Sequence, residues 1–366
     1  MIKFLDIFKQ DQKLHNSIIK DIKKLFKSGD FILGKEVLKF EKNFKNFTQS
    51  KYAISCGNGT DALTIALKSL NLPNNSEVII PAMTYCSTAF AVFNAGLKPV
   101  LVDTEFLKST IDLFDLKKKI NKKTKVILPV HLYGSVANLT GIKRMIKKKN
   151  IFLIDDCAQA HGSLDDSMNT NKKKKIGSTT DISCFSLYPG KNLGAYGDAG
   201  IITTNSKIFY DRIRKIRNLG SDKKFLHDYI GLNSRLDTIQ ALILNKKIKN
   251  LAKLNKKRQK IAKFYNKNIF NKNIVKLKYT KSCVYHQYVI LVKNKKELIK
   301  KFNLKGIGFG FHYPFAIHQL KVFKKVFKHK KFINAERLAS EGISIPIDPN
   351  LKPIEIKIIV NTLNGL

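Results

Sequence analysis

The segment Ile151–Gly162, with the sequence IFLIDDCAQAHG, decides the predicted fold of this chain. Its first four residues are apolar and rich in β-branched and aromatic side chains, which predicts a short, buried strand of a parallel sheet. The strand runs directly into Asp155 and Asp156. Because the carboxyl ends of strands in open α/β sheets face the ligand crevice, the pattern predicts carboxylates beside a ligand. Alternatively, either aspartate caps a following helix, a position that favours Asp.

Similar apolar runs alternate with helical stretches along the first two thirds of the chain, as a mostly parallel α/β sheet requires. They lie at residues 78–80, 99–102, 126–130 and 151–154. A long helical stretch from Arg235 to about Tyr265 then leads to an α+β region containing residues 284–292. We predict a large domain at residues 1–250, a mostly parallel α/β/α sandwich with an N-terminal helical arm. Residues 251–366 are predicted to form a smaller α+β domain.

Lys191 is isolated within a lysine-rich chain. It lies in FSLYPGKNLGAYGDAG, residues 185–200, and no other basic side chain occurs between Ile176 and Lys207. Removal from water disfavours the ammonium form and lowers the pKa of the amine, which makes it nucleophilic. A lysine that forms Schiff bases needs this property. The structural alternative is a lysine that extends its charged end out of a buried turn.

A candidate phosphate site lies at Ser55–Leu63, SCGNGTDAL, between the strand-like Tyr52–Ile54 and the helical Ala62–Leu70. The glycines allow a ligand to approach the backbone, and the amides and dipole at a helix start favour phosphate. The glycine spacing matches neither the Walker A motif nor the dinucleotide fingerprint. Such turns also occur without a ligand, because Gly and Asn are good turn residues.

The chain is strongly basic, with 68 Lys and Arg against 27 Asp and Glu, a formal net charge of +41. Only seven of the basic residues are arginine, and the lysines are spread throughout. Because no nucleic-acid-binding module is present, we predict no nucleic-acid function. The charge should instead attract anionic substrates over long distances.

Cysteine usage and hydropathy indicate a cytoplasmic protein. The five cysteines are scattered, which indicates reduced thiols. Charges interrupt every apolar run near the N-terminus, unlike a signal peptide, and no run is long enough for a membrane span. No two histidines or cysteines have the spacing of a metal site, so we predict no metal.

Taken in order, these segments resemble the DegT/StrS family of pyridoxal phosphate (PLP)-dependent sugar aminotransferases, a branch of the aspartate aminotransferase superfamily (fold type I). The resemblance extends over nearly the whole chain. The further matching segments are Gly29–Val37 with Phe40–Glu41, Pro81–Tyr85, Ala95–Gly96, Pro99–Asp103, Val130–Gly134, Gly231–Asp237, His312–Pro314, Ala335–Ala339 and Ile345–Pro346. The resemblance implies a transaminase that works as a homodimer with shared active sites.

The resemblance assigns cofactor roles to individual residues. Lys191 is expected to form the Schiff base with PLP, and Asp156 rather than Asp155 to pair with the pyridine nitrogen. Gln159 is expected near the ring oxygen, and Tyr85 on the ring face. The phosphate is expected to be held by Gly59, Thr60 and Ser186, with Asn233 from the neighbouring subunit. Taken singly, Tyr85 also fits a core position, Ser186 a strand hydroxyl and Asn233 a turn.

Three departures from the family pattern are visible. Asp155 replaces the more usual glutamate, and Ala199 replaces a common glycine. The stretch Leu164–Lys175 is a few residues longer than usual and is predicted to form a polar, exposed hairpin. Neither replacement touches an expected cofactor contact, and the effect of the longer stretch on the substrate cleft is not specified by the sequence.

The expected substrate is a nucleotide-linked keto sugar, with glutamate as the amino donor. A histidine at position 161 is found in the family mainly among enzymes that act at the C3 carbon of the sugar. This favours a dTDP-linked 3-keto-6-deoxyhexose for a surface polysaccharide such as O-antigen, a component of lipopolysaccharide. Alternatives are a 4-keto sugar and a UDP-linked N-acetylated 3-keto sugar. Residues expected to face the sugar are His161, Tyr188, His312, Tyr313 and His318.

Two other classes share this fold. A PLP-dependent sugar dehydratase has histidine in place of the Schiff-base lysine, so Lys191 favours transamination. A non-catalytic regulatory relative would have a damaged site, and the sequence shows no damage. The nucleotide base, the aminated carbon, its stereochemistry and any assembly beyond a dimer are not specified by the sequence.

Overall fold

The computed structural model describes residues 1–166, 173–223, 225–328 and 330–366, and its centre is a seven-stranded sheet. The strands are β1 Tyr52–Cys56, β2 Glu77–Pro81, β3 Lys98–Val102, β4 Thr124–Ile127, β5 Phe152–Asp156, β6 Ile182–Ser186 and β7 Gly200–Thr204. Their order across the sheet is β1-β7-β6-β5-β4-β2-β3. The strands β2 to β6 pair in parallel, whereas β7 runs antiparallel to both β6 and β1. The predicted mostly parallel α/β fold is confirmed.

Helices cover both faces of this sheet and continue into the C-terminal part of the chain. They are α1 Ile7–Asp11, α2 His15–Ser28, α3 Lys35–Thr48, α4 Gly59–Ser69, α5 Cys86–Asn94, α6 Leu113–Lys119, α7 Leu139–Ile146, α8 Lys207–Ile216, α9 Thr238–Lys247, α10 Leu251–Asn268, α11 Lys295–Leu304, α12 Ile333–Glu341 and α13 Pro353–Asn364. Within the described residues, no helix combines the length and the apolar character that crossing a membrane requires.

The core lies on both sides of the central sheet. Successive strand side chains point to opposite faces, so a strand covered on both sides must be apolar throughout. All five residues of β2 are buried. Val78 and Ile80 join the cluster that contains Leu63 of α4, whereas Ile79 joins the opposite cluster with Leu139 of α7. The sheet is therefore a fixed platform between two helical layers.

A second, antiparallel sheet follows in the C-terminal part. It consists of β8 Ile274–Lys276, β9 Tyr288–Val292 and β10 Gly342–Ile345, in the order β10-β9-β8. Tyr288 and Ile290 pack against Tyr265 of α10, whereas Val289 and Leu291 join the core of the first sheet. The proposed boundary at residue 250 remains a prediction, and α10 begins at residue 251.

The N-terminal segment crosses to the second sheet. The amide of Ile2 donates to the carbonyl oxygen of Gly306 at 2.7 Å, and the amide of Gly308 donates back to Ile2 at 2.8 Å. The amide of Asp6 donates to the carboxylate of Asp348 at 2.9 Å. Residues assigned to the large domain by prediction therefore pack on the C-terminal part.

Two local predictions differ from the structure, and a third lies partly outside the described residues. β4 ends at Ile127 rather than at residue 130, because Pro129 has no N–H for the ladder; Val130 pairs only in an isolated bridge with Asp156. The helical stretch after residue 235 is divided by a turn of 3-10 helix at Ile248–Asn250. In the predicted hairpin, Leu164 pairs with Lys175, and residues 167–172 lie outside the described residues.

Candidate active site

A cavity of about 670 Å³ opens where β2, β4, β5 and β6 end at their carboxyl termini. Parallel strands bring the residues that follow them to one edge of a sheet, which explains why distant segments meet here. Most of the predicted site residues line this cavity. They are Gly59, Thr60, Tyr85, Asp156, Gln159, Ser186, Tyr188, Lys191, His312 and Tyr313.

Lys191 lies on the turn between β6 and β7, where its amide donates to the carbonyl oxygen of Tyr188 at 2.9 Å. Its side chain is partly buried and lines the cavity. Burial lowers the pKa of the Lys191 amine to about 8, although the nearby Asp156 carboxylate raises it. A much larger share of the amine is therefore uncharged and nucleophilic near neutral pH than in an exposed lysine.

Asp156 is the last residue of β5, and its side chain is buried. Burial raises the pKa of its carboxyl group, whereas two hydrogen bonds oppose this shift. The amide of Ala158 donates to Oδ1 at 3.0 Å, and the hydroxyl of Thr88 donates to Oδ2 at 3.0 Å. Because turns rather than a helix follow β5, neither Asp155 nor Asp156 is a helix cap.

Asp155 points to a different, fully buried environment. His131 Nδ1 accepts from the amide of Ala137 at 3.1 Å, so its Nε2 carries the proton and donates to Asp155 at 3.0 Å. Thr180 Oγ1 donates to the other carboxylate oxygen at 2.6 Å. Burial raises the pKa of Asp155, but these hydrogen bonds hold it below its usual value.

The same region contains a group with metal-like spacing. One ligand atom each from His131, Asp155 and Cys157 lies within 4.8 Å of the others. Both ring nitrogens of His131 already take part in hydrogen bonds. The hydrogen-bonding capacity of the His131 ring is therefore used by contacts within the protein.

The N-terminus of α4 forms one end of the cavity. The side chain of Asn58 caps the helix by accepting from the amide of Asp61 at 2.8 Å. Amides in the first turn of a helix have no acceptor within the helix, and they attract anions. A Cβ atom on Gly59 would lie 2.6 Å from Cβ of Ser186, so only glycine lets β6 approach this closely. Thr60 Oγ1 donates to Ser87 Oγ at 2.8 Å, which brings two further hydroxyls to the same end.

Gln159 connects two parts of the cavity wall. Its Oε1 accepts from the amide of Tyr133 at 2.6 Å, and its Nε2 donates to the hydroxyl of Tyr313 at 3.0 Å. The ring of Tyr313 lies 5.3 Å from the ring of Tyr85, centroid to centroid. Tyr85 remains 55% exposed and Tyr188 56% exposed. Two accessible aromatic rings thus face the opening.

His312 lines the cavity from the C-terminal part of the chain. Its ring stacks on Phe4 at 5.8 Å, and its Nδ1 forms a 2.8 Å hydrogen bond with Ser344 Oγ. Burial, and secondarily the charge of Lys191, lowers the pKa of His312 to about 4. Its imidazole is therefore uncharged at neutral pH.

Three predicted site residues do not line the cavity. His161 is fully buried beside Phe185 at 5.4 Å between ring centroids, and burial lowers its pKa to about 3. His318 is buried and contacts Glu336 at 3.0 Å. Asn233 is exposed on the surface. Any effect of His161 on substrate must pass through its neighbours.

Sequence reasoning missed four residues that line the cavity, Asn58, Thr84, Ser87 and Asp198. It also missed Thr88, which contacts Asp156. Thr84 and Thr88 share a 2.9 Å hydrogen bond, and Thr88 contacts Asp156. The signal was present, because the segment 84–88 follows β2 directly and must reach the same sheet edge as Asp156.

This sheet, with a lysine and an aspartate at its carboxyl edge, defines a PLP-dependent transferase of the aspartate aminotransferase type. The chain belongs to the DegT/DnrJ/EryC1/StrS aminotransferase family, whose sequence profile matches residues 12–364. The resemblance seen in the sequence is confirmed.

Relatives and solved structures support the same class. The chain is 36% identical to dTDP-3-amino-3,6-dideoxy-alpha-D-galactopyranose transaminase of Aneurinibacillus thermoaerophilus, over 100% of this chain and 99% of that protein. It is 33% identical to UDP-2-acetamido-2-deoxy-3-oxo-D-glucuronate aminotransferase of Pseudomonas aeruginosa, over 100% of both. The crystal structure of S. venezuelae DesV in complex with a ketimine intermediate superposes with a TM-score of 0.95 at 29% identity, covering 100% of this chain and 98% of DesV.

The cofactor of the family is PLP, and the cavity fits it. An amine with a lowered pKa suits the aldehyde, and a buried carboxylate suits the ring nitrogen. The helix N-terminus at Gly59 suits the phosphate, and the exposed face of Tyr85 suits an aromatic ring. All four groups border one cavity, whose size is in the range of small-molecule sites.

Proposed function

We propose that this aminotransferase transfers the amino group of glutamate to a nucleotide-linked keto sugar, preferentially a dTDP-linked 3-keto-6-deoxyhexose. The observation that carries the proposal is the shared cavity of Lys191 and Asp156. The dTDP-sugar transaminase of A. thermoaerophilus, the most identical of the relatives given above, supports this acceptor. The amino sugar would enter a surface polysaccharide such as O-antigen.

A UDP-linked N-acetylated 3-keto sugar is the second candidate. The relative from P. aeruginosa, which is named for such a substrate, supports it. Both relatives carry a position 3 designation in their names, which favours amination at C3 over the 4-keto alternative. The lysine at position 191 favours transamination over a dehydratase, and the presence of Lys191 and Asp156 in one cavity favours catalysis over a regulatory role.

Proton transfer is assigned to Lys191. When bound, PLP supplies a carbonyl group that exchanges the amino group and a protonated ring that accepts electrons. The amine Nζ of Lys191 would hold the cofactor aldehyde and would take up and release a proton at the reacting carbon. Because burial sets its pKa at about 8, the amine can both take up and release this proton near neutral pH. Asp156 keeps the ring nitrogen protonated, with its carboxylate held by Thr88 and Ala158.

Binding is assigned to the other lining residues. The amides at Gly59 and Thr60, with Ser186, hold the phosphate at the start of α4. Gln159 would lie near the ring oxygen, and Tyr85 would stack on the ring face. The neutral imidazole of His312, with Tyr188 and Tyr313, faces the sugar.

A homodimer completes the site in this proposal. Asn233, exposed in the single chain, reaches the phosphate of the neighbouring subunit. The preceding segment presents exposed apolar side chains that a second copy would cover: Leu219, Phe225, Leu226 and Ile230. We assign the enzyme to the cytoplasm, which agrees with five free cysteines.

The cofactor assignment is tested by borohydride reduction of the PLP-loaded protein and peptide mass spectrometry. We expect the reduced cofactor on Lys191, a visible absorption band that glutamate shifts, and loss of both in Lys191→Ala. Lys175→Ala is the matched control, because Lys175 is also partly buried with a lowered pKa but contacts Phe47 away from the cavity. Cofactor on any other lysine would refute the assignment.

The acceptor is tested with a panel of keto sugars generated enzymatically in situ, each incubated with enzyme and glutamate. Mass analysis should show the amino product first and fastest for the dTDP-linked 3-keto-6-deoxyhexose. Faster amination of the UDP-linked sugar would select the second candidate, and amination of 4-keto sugars alone would exclude both.

A further inference from the structure

Asn192 follows Lys191 directly and is 5% exposed, with every polar atom of its side chain bonded. Its Nδ2 donates to Asn255 Oδ1 at 3.0 Å and to the carbonyl oxygen of Val284 at 3.1 Å. Its Oδ1 lies 3.2 Å from His286 Nδ1. The turn that carries Lys191 is thus held by three hydrogen bonds of one side chain, two of them buried.

The direction of each of these bonds follows from the chemistry of the acceptors. A backbone carbonyl oxygen only accepts, so the Asn192 nitrogen must face Val284 and its oxygen must face His286. His286 Nδ1 therefore carries a proton and donates it. Burial, followed by the charges of Lys191, His312 and Arg258, holds the pKa of His286 well below its usual value. His286 is accordingly a neutral donor.

Asn255 extends the network to the other half of the site. Its Nδ2 donates to the backbone carbonyl oxygen of His161 at 2.8 Å, which again fixes the orientation of the amide. His161 belongs to the turns that follow Asp156. Asn255, a residue of α10, therefore connects two parts of the site. It bonds Asn192 in the turn of Lys191 and the backbone of His161 in the segment that follows Asp156.

We propose that Asn192, Asn255 and His286 form a positioning network that fixes Lys191 relative to Asp156 and keeps its amine withdrawn from solvent. The proposal rests on the role assigned to Lys191 above. None of the three residues lines the cavity, so they act through the lysine rather than on the substrate. The network is uncharged, so it holds the turn without adding a charge that would favour the ammonium form.

The test measures the titration of Lys191 in the full-length protein after removal of the cofactor. Acetylation of Lys191 with limiting acetic anhydride is followed by peptide mass spectrometry between pH 6 and pH 11. The groups that interact with this amine electrostatically are Asp156, His161, His286 and His312. The midpoint reports the pKa, and the plateau at high pH reports accessibility.

The wild-type midpoint is expected near 8. In Asn192→Ala and Asn255→Ala the turn relaxes toward solvent, so the midpoint should rise toward the ordinary lysine value. A rise of about one unit makes acetylation at pH 8 roughly fivefold slower relative to the plateau. Asn245→Ala is the matched control, because Asn245 is equally buried and bonded to Glu36 and Asn43 on another face.

A second pair of variants keeps the test decisive if Asn192→Ala fails to fold. His286→Ala removes the donor and should shift the midpoint, whereas His286→Asn keeps an amide donor near the position of Nδ1 and should restore it. Unchanged midpoints in the folded Asn255→Ala and His286→Ala proteins overturn the proposal. Equal shifts in His286→Asn and His286→Ala overturn the assignment of the donor. This test uses protein without cofactor. An unchanged midpoint can therefore be distinguished from a failure of the proposed function, which would appear as cofactor attached to another lysine.

Discussion

At the scale of single residues, the two central groups of the site have opposite needs. Lys191 must lose its proton readily, and burial achieves this by lowering its pKa. Asp156 must stay ionised, although burial raises its pKa. Thr88 and the amide of Ala158 offset that effect by donating to the carboxylate. The hydroxyl of Thr88 in turn accepts from Thr84, because its own proton is directed at Asp156.

Thr88→Val removes this donor and preserves the shape of the side chain. The pKa of Asp156 then rises further, so a larger share is protonated at low pH and the acidic limb of the kcat profile moves to higher pH. A hydrogen bond to a charged group contributes about 1.5–3 kcal/mol, so roughly tenfold or more should be lost from kcat/KM on the acidic side. Activity should recover as the pH increases.

The matched control for this substitution is Thr203→Val. Thr203 is fully buried in β7, and its hydroxyl donates to the carbonyl of Gly177 at 2.7 Å. If the pH profile of activity moves equally in both variants, the effect of Thr88→Val is due to general destabilisation and not to the lost hydrogen bond to Asp156.

At the scale of elements, neighbouring segments hold the start of α4, the proposed phosphate site, from two sides. Ser234 Oγ donates to Asp61 Oδ2 at 2.6 Å and accepts from the amide of Gly57 at 2.9 Å. β6 touches the start of the helix at Ser186. The helix dipole is therefore aimed into the cavity by contacts on either side.

Gly59→Ala should separate α4 from β6. The added Cβ would lie 2.6 Å from Cβ of Ser186 and 3.0 Å from its Cα, so one element must move. We expect stability to fall by about 1–3 kcal/mol and affinity for PLP and for inorganic phosphate to fall at least about tenfold. Fluorescence titration measures both affinities.

Gly365→Ala is a suitable control, since its Cβ would approach only the carbonyl of Asn361, at 3.4 Å. Unchanged affinity for PLP in a folded Gly59→Ala protein would contradict a phosphate site at this helix start.

At the scale of the whole molecule, one residue predicted to contact the phosphate, Asn233, does not line the cavity of its own chain. Asn233 is exposed, whereas its neighbour Ser234 is buried and donates to Asp61 in the first turn of α4 of the same chain. Exposed apolar residues at 219–230 lie before it. Such a surface fits an interface of two copies.

Mixing two inactive variants tests whether sites are shared. Lys191→Ala lacks the amine, and Asn233→Ala lacks the proposed contact to the partner. After unfolding and joint refolding, half of the dimers should be mixed, and each should hold one complete site, which gives about a quarter of wild-type activity. Activity no greater than the sum of the separate variants would place Asn233 in its own subunit's site or in none.

The charge of the molecule predicts a dependence on salt. With a formal net charge of +41, a nucleotide-linked substrate should be attracted from a distance. Raising KCl from roughly 50 to roughly 300 mM should increase KM for the sugar several-fold by screening, with kcat nearly constant. Sucrose of equal osmolality is the control, and a KM that ignores salt would contradict the expectation.

The sequence allowed the site to be located because strand ends share one edge of the sheet. A carboxylate at the end of β5 was accordingly expected beside a ligand, and the family resemblance placed Asp156, Ser186 and Tyr85 at the cofactor. All three line the cavity. Side-chain direction was not predictable in the same way. His161 follows Asp156 by five residues yet lies in the core, because the intervening turns face it away from the cavity.

Contacts between remote segments were the other limit. The network of Asn192 with Asn255 and His286 joins residues up to 94 positions apart, and no local pattern marks such a pairing. His318 lies against Glu336 rather than at the sugar side, since the chain folds it under α12. The proposed role of Asn233 requires a second copy, which one sequence does not contain.

The pairing of Ile2 with Gly306 and Gly308 has a consequence for biosynthesis on the ribosome. The segment around Ile2 cannot reach these partners until more than three hundred further residues have been translated. The central sheet can form earlier, because β1 to β7 are complete by residue 204. That segment must therefore remain without its partners while the residues in between are elongated, so its docking follows the formation of the central sheet.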